Sequence, residues 1–160
     1  MLRKTMKFDS RRFRSRRSGT SLVELALTLG ILFSITYGTI EFGYYFFVSN
    51  SMQGAAREGC RAGIVAGATN SIVTTEIESY LQECGLVPFG TTASGSGGTY
   101  SVGNYTVVLS PVNVTTATVG NTLTVTITAT WGTVGAGFRP MAIIGASKTV
   151  TAATSMRIEG

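Results

Sequence analysis

The reading turns on Gly19-Thr20-Ser21-Leu22-Val23-Glu24 and the run that follows it without a break, Leu25-Ala26-Leu27-Thr28-Leu29-Gly30-Ile31-Leu32-Phe33-Ser34-Ile35-Thr36-Tyr37-Gly38-Thr39-Ile40. Arg3, Lys4, Lys7, Arg11, Arg12, Arg14, Arg16 and Arg17 precede Gly19, opposed only by Asp9, so the tail carries eight minus one, or +7. The rest carries five cations against seven glutamates, or −2, so the net +5 of the chain comes from its first 18 residues. An apolar run flanked by positive charge on one side only reads as a membrane-spanning helix whose N-terminus stays in the cytoplasm. The basic cluster is therefore a topology signal facing anionic lipid and not a nucleic-acid site. A secretory signal fits less well, because the run is long and no Ala-x-Ala site follows it. Glu24 breaks the apolar pattern, and a carboxylate in such a place is costly enough to be functional by default.

Working outward, Glu24 and Glu41 are the only charges between Thr20 and Val48. They bracket 17 residue steps, roughly 25 Å of helix against a hydrocarbon thickness of about 30 Å. This predicts a span over 20–48, with Glu41 near the outer interface and Tyr44, Tyr45, Phe46 and Phe47 as its aromatic belt. Gly30, Ser34 and Gly38 form a small-residue stripe suited to close helix packing. A second stripe, Ala55, Gly59, Gly63 and Gly67, continues it over 49–66, so the helix projects far beyond the bilayer.

Residues 67–160 read as one α+β domain. Gly67-Ala68-Thr69-Asn70-Ser71 breaks the long helix, and Asn70 or Ser71 caps a second one. That helix has an apolar face of Val73, Ile77, Tyr80, Leu81 and Cys84, and it stops at Gly85. Gly90 to Gly98 reads as a flexible loop. Beyond it the period changes to two, giving strands over Tyr105–Leu109, Val112–Val119, Thr122–Trp131 and about Lys148–Ile158, with Gly120-Asn121 as a hairpin turn. The expected fold is a long spine helix, a short second helix and an antiparallel sheet of about three to four strands packed on the spine.

The chain has no histidine, and its one aspartate lies in the basic tail. A Ser-His-Asp triad is thereby excluded, two cysteines cannot make an ordinary zinc site, and no phosphate loop is present. Neither an enzymatic role nor a metal or other cofactor is expected. Cys60 and Cys84 would share an oxidising compartment, where a disulfide and two buried thiols are both open; the bridge is the expectation carried forward.

Glycine, four residues and then glutamate at the head of an apolar helix resembles the processing signal of type IV prepilins and pseudopilins. Together with Ile40-Glu41-Phe42-Gly43, Ala55-Ala56-Arg57-Glu58-Gly59-Cys60-Arg61 and the closing Ala153-Thr154-Ser155-Met156-Arg157-Ile158-Glu159, it resembles the TadE-like pseudopilins of Tad (Flp) pilus systems. The resemblance implies cleavage between Gly19 and Thr20 by a prepilin peptidase, which removes 1–19 as a leader. It also implies an assembly role for Glu24, in which its carboxylate meets the new N-terminal amine of a neighbouring subunit. The implied partners are other pilins and pseudopilins, the Tad assembly platform and membrane lipid, with no nucleic acid. The implied place is the bacterial inner membrane, C-terminus outside, with incorporation into a surface pilus. The alternative is an uncleaved signal-anchored protein whose outer domain binds a ligand.

Overall fold

The computed structural model describes residues 16–135, 137 and 139–158. Most of the basic leader and Glu159 lie outside these residues. Helix α1, Arg16–Gly63, runs for 48 residues, about 70 Å at the helical rise. After a short turn, α2 (Asn70–Glu83) folds back along it. The sheet follows as β1 (Ser94–Ser96), β2 (Thr99–Val102), β3 (Tyr105–Ser110), β4 (Thr122–Thr130) and β5 (Thr149–Arg157), with a one-turn helix α3 (Trp131–Val134) between the last two. The five strands form an antiparallel meander in the order β1-β2-β3-β4-β5, one strand more than the upper expectation.

Alternation in β4 does what its sequence demands. Leu123, Val125, Ile127 and Ala129 are buried, while Thr124, Thr126 and Thr128 face outward. Across the register, Thr124 Oγ1 lies 2.7 Å from Ser155 Oγ, a cross-strand contact on the outer face. The inner face of the sheet closes over Val48, Met52, Ala55, Ala56 and Cys60 of α1 and Val73, Ile77 and Leu81 of α2, so one core is shared by sheet and helices. β5 is an edge strand, and α1 occupies part of its backbone: Gln53 Nε2 donates to Ala153 O at 3.2 Å and Cys60 Sγ to Thr154 O at 3.1 Å. The opposite edge, β1, is only Ser-Gly-Ser. Short and occupied edges both discourage pairing with another sheet.

Several expectations are corrected. Residues 112–119 are not a strand; they hold a 3₁₀ turn, Val114–Thr116, started by Asn113, whose side chain accepts from Thr115 N–H. The alternation there is overridden by Asn70, which donates from Nδ2 to Tyr100 Oη (2.9 Å) and Val112 O (2.8 Å) and accepts Val114 N–H at Oδ1 (2.8 Å). Asn70 is thus a cross-brace, and the cap of α2 is Thr69, which accepts from Ile72 N–H. The Gly90–Gly98 stretch is not all loop, because Gly97 and Gly98, both at positive φ (62° and 76°), turn β1 into β2. Gly120, also at positive φ (93°), turns the chain into β4, and its N–H donates to Ile158 O; it does not join two neighbouring strands.

Candidate functional site

The helix α1 has two stretches with different surroundings. From Gly19 to Tyr37 every residue is exposed, including Leu22, Val23, Leu27, Ile31 and Ile35, so the run is bare and apolar on all sides. Four hydroxyls in and just beyond it are turned back on the helix: Thr28, Ser34, Thr36 and Thr39 each donate to the carbonyl four residues back at 2.8–2.9 Å. Such back-bonding removes the polar groups a helix would otherwise present to hydrocarbon. Glu24 lies on this bare stretch and is exposed, and Gly19 has open space where a side chain would stand. The Gly19–Thr20 bond is helical.

At Gly38 the covering begins. Gly38 is buried, and a Cβ there would lie 3.4 Å from Ile143 Cδ1. One turn on, Glu41 is fully buried; its Oε1 accepts the N–H of Ile144 at 2.8 Å while its Oε2 has no partner. Arg139 Nη2 donates to Ile144 O at 3.2 Å, so the backbone of Ile144 is held at both its N–H and its carbonyl. Tyr44 and Tyr45 pack on the fully buried Trp131, with ring centroids 5.9 and 5.1 Å away. The aromatic belt expected at 44–47 is therefore divided. Tyr44 and Tyr45 belong to the domain, whereas Phe46 and Phe47 remain exposed. Within the span expected to reach Val48, exposure is unbroken only as far as Tyr37; beyond it Gly38, Glu41 and Val48 are buried while Ile40, Phe42, Phe46 and Phe47 stay exposed.

The small-residue stripes separate in the same way. Nothing approaches Gly30, and Ser34 is bonded back to Gly30 O. Gly59 and Gly63 instead admit α2 and β4: a Cβ at Gly59 would lie 2.6 Å from Ile77 Cγ1, and one at Gly63 would be 2.9 Å from Val73 Cγ2 and collide with Leu123. Ala55 is buried beside them. Gly54 performs the same service for the Tyr80 ring and went unrecognised in the sequence, although it precedes Ala55 directly. Arg61 and Glu58 pair at 3.8 Å with side chains 78% and 45% exposed, a surface contact of little energetic weight.

These contacts fix the direction of α2. Val73 lies opposite Gly63, Ile77 opposite Gly59 and Tyr80 opposite Gly54, so the two helices are antiparallel. Cys84 is then level with about residue 50 of α1, on the order of 15 Å along the axis from Cys60 and beyond the roughly 7 Å a disulfide allows. The expected bridge is corrected: both cysteines are free, Cys60 buried and Cys84 half-buried. Burial pushes the Cys60 thiol up, against a smaller lowering by a backbone hydrogen bond at Val125, so little thiolate forms at neutral pH. Alkylation of the folded, unreduced protein is expected to modify Cys84 alone and to reach Cys60 only after denaturation. Failure to modify either thiol in denaturant without reductant would restore the bridge.

Residues 19–61 match the family model of TadE-like proteins. The spine is TadE-like. No curated protein and no solved structure matches the chain. The TadE-like segment ends two residues short of the end of α1, so it covers the bare stretch, the Glu41 contact and most of the face that receives α2. It associates the chain with pilus components in general. The TadE-like helix is also long and apolar enough to cross a membrane, which fits a membrane-anchored protein. Among the described residues no cluster of His, Cys, Asp and Glu could hold a metal ion.

Proposed function

We propose that the chain is a minor pilin, or pseudopilin, of a Tad (Flp) pilus system. The observation that carries this reading is the division of α1 into a bare apolar stretch from Gly19 to Tyr37 and a stretch from Gly38 onward that the domain covers on one side, on a spine that is TadE-like. Before assembly, the bare stretch holds the subunit in the inner membrane with its domain outside. A prepilin peptidase at the inner face cuts between Gly19 and Thr20, and the exposed Glu24 then receives the new amine of a neighbour. In the growing pilus the bare stretches pack together, and Gly30 and Ser34 let them approach closely. The Tad assembly platform and the other pilins are the partners of this process. No reaction is assigned to the chain itself.

The deciding experiment is determination of the N-terminus of membrane-extracted protein, with and without Gly19→Leu. Since nothing lies within 4 Å of a Cβ at Gly19, the leucine disturbs no contact of the fold, and loss of processing reports on the peptidase alone. A Thr20 start that disappears in the variant is the expected result. An intact Met1 in cells with active prepilin peptidase would favour the signal-anchored binding module, and a start beyond Gly38 would favour an ordinary secreted protein.

A further inference from the structure

The segment 139–147 crosses α1 as a strap at the place where the bare helix ends. Ile143 reaches Gly38, and the Ile144 backbone is bonded by Glu41 at its N–H and by Arg139 at its carbonyl. Between these anchors the chain turns through Ala142, at φ 51°, and leaves Met141 44% and Ile143 50% exposed. Ile40 of the helix, 45% exposed, adds to the same apolar margin, with Lys148 exposed just beyond the strap. Two large apolar tips on a loop followed by an exposed cation have the composition of an interfacial anchor.

Position along the helix says what the tips meet. From Thr20 to Gly38 is 18 residue steps, about 27 Å, close to the hydrocarbon thickness of about 30 Å. A helix that begins its span near Thr20 leaves the hydrocarbon at the level of the strap. The buried Glu41 fits that depth, because the strap covers a carboxylate that would otherwise face the boundary and supplies it with an N–H donor.

We propose that the 139–147 strap docks on phospholipid at the outer surface of the membrane, with Met141 and Ile143 among the upper acyl chains and Lys148 at the headgroups, while Arg139 stays in place as the inner brace of Ile144 O. The proposal rests on the reading of α1 as a membrane span and adds a second, domain-borne contact to it. With helix and strap both engaged, the domain is held at a fixed tilt and rotation on the membrane, and leaving for the pilus requires withdrawal of the strap as well as of the helix.

The test uses the full chain in vesicles of phosphatidylcholine and phosphatidylglycerol, part of the lipid carrying bromine in the upper acyl chain to quench tryptophan. Trp131, fully buried, sets the baseline, and Met141→Trp, Ile31→Trp and Val119→Trp are compared with it. Val119 is exposed beside Gly63 and Val65, at the far end of the spine. For Met141→Trp, emission is expected to fall about twofold in brominated vesicles, as for a side chain at the headgroup and acyl boundary, while Val119→Trp stays at the baseline. Quenching of Ile31→Trp without quenching of Met141→Trp would overturn the strap's docking and leave the span intact. Absence of quenching at both positions would overturn the span itself. Quenching at position 141 that vanishes as subunit density rises would give the strap to a second copy of the chain, which also overturns the proposal.

Discussion

Gly59→Leu is expected to unfold the domain at ordinary temperature or bring it close to doing so, whereas Gly30→Leu is expected to leave its melting midpoint unchanged. Both glycines belong to small-residue stripes on one helix, and both substitutions gain about 1 kcal/mol of helix propensity. They differ in what waits for the side chain. At Gly59 even a Cβ would lie 2.6 and 2.7 Å from Ile77 Cγ1 and Cδ1, and Ile77 is fully buried in the core. Overpacking by a whole leucine costs about 3 kcal/mol or more, a large share of the roughly 5–15 kcal/mol that holds such a domain folded. At Gly30 the leucine points into open space. Near-ultraviolet circular dichroism of Trp131 during heating in detergent reads the difference, and equal midpoints for the two variants would mean that α1 and α2 are not in close contact.

Glu24→Ala is expected to abolish pilus assembly while leaving both processing and the membrane pool intact. The residue is exposed on the bare stretch and touches no part of the domain, so stability should not change. In an assembled bundle of bare stretches the carboxylate lies in apolar surroundings, where it is tolerable only if paired. Removing one partner of such a pair costs about 3–5 kcal/mol per contact, enough to halt growth that repeats the contact at every subunit. Immunoblots of the membrane fraction and of sheared pili provide the measurement. Normal amounts of pili from the variant would remove Glu24 from assembly.

The long helix, the second helix and strands β3, β4 and β5 were legible in the sequence because each is governed by local periodicity: an apolar run, a 3.6-residue face, or alternation such as that of threonine with Leu123, Val125 and Ile127. What escaped was set by partners distant in the chain. Val112 and Val119 suggested a strand, but the Asn70 side chain claims the backbone of 112 and 114 across more than 40 residues. Tyr44 and Tyr45 read as a lipid belt because Trp131, which takes them, lies far along the chain. Glu41 was placed by counting helix steps to an interface, and its burial depends on a strap 103 residues away. The β1–β2 hairpin did carry a local signal, since Gly97-Gly98 between Ser96 and Thr99 is a two-residue turn. The candidate site followed the same rule. Gly19, Glu24 and Gly30 stand on the exposed stretch, so their assignment rests on sequence spacing alone, whereas the surroundings of Gly38 and Gly54 waited on Ile143 and Tyr80.

If the domain is exported as proposed, the bonds from Gln53 and Cys60 to β5 also set an order of events. Ala153 would then emerge 100 residues after Gln53, and until Thr149–Arg157 had followed, β4 would lack its outer neighbour and Cys60 its cover. Contacts this distant close late and slowly. A chain halted before Thr149 would thus present an anchored helix with an unfinished domain, open to proteolysis, and only a subunit translocated through β5 would acquire the closed surface that a growing fibre can accept.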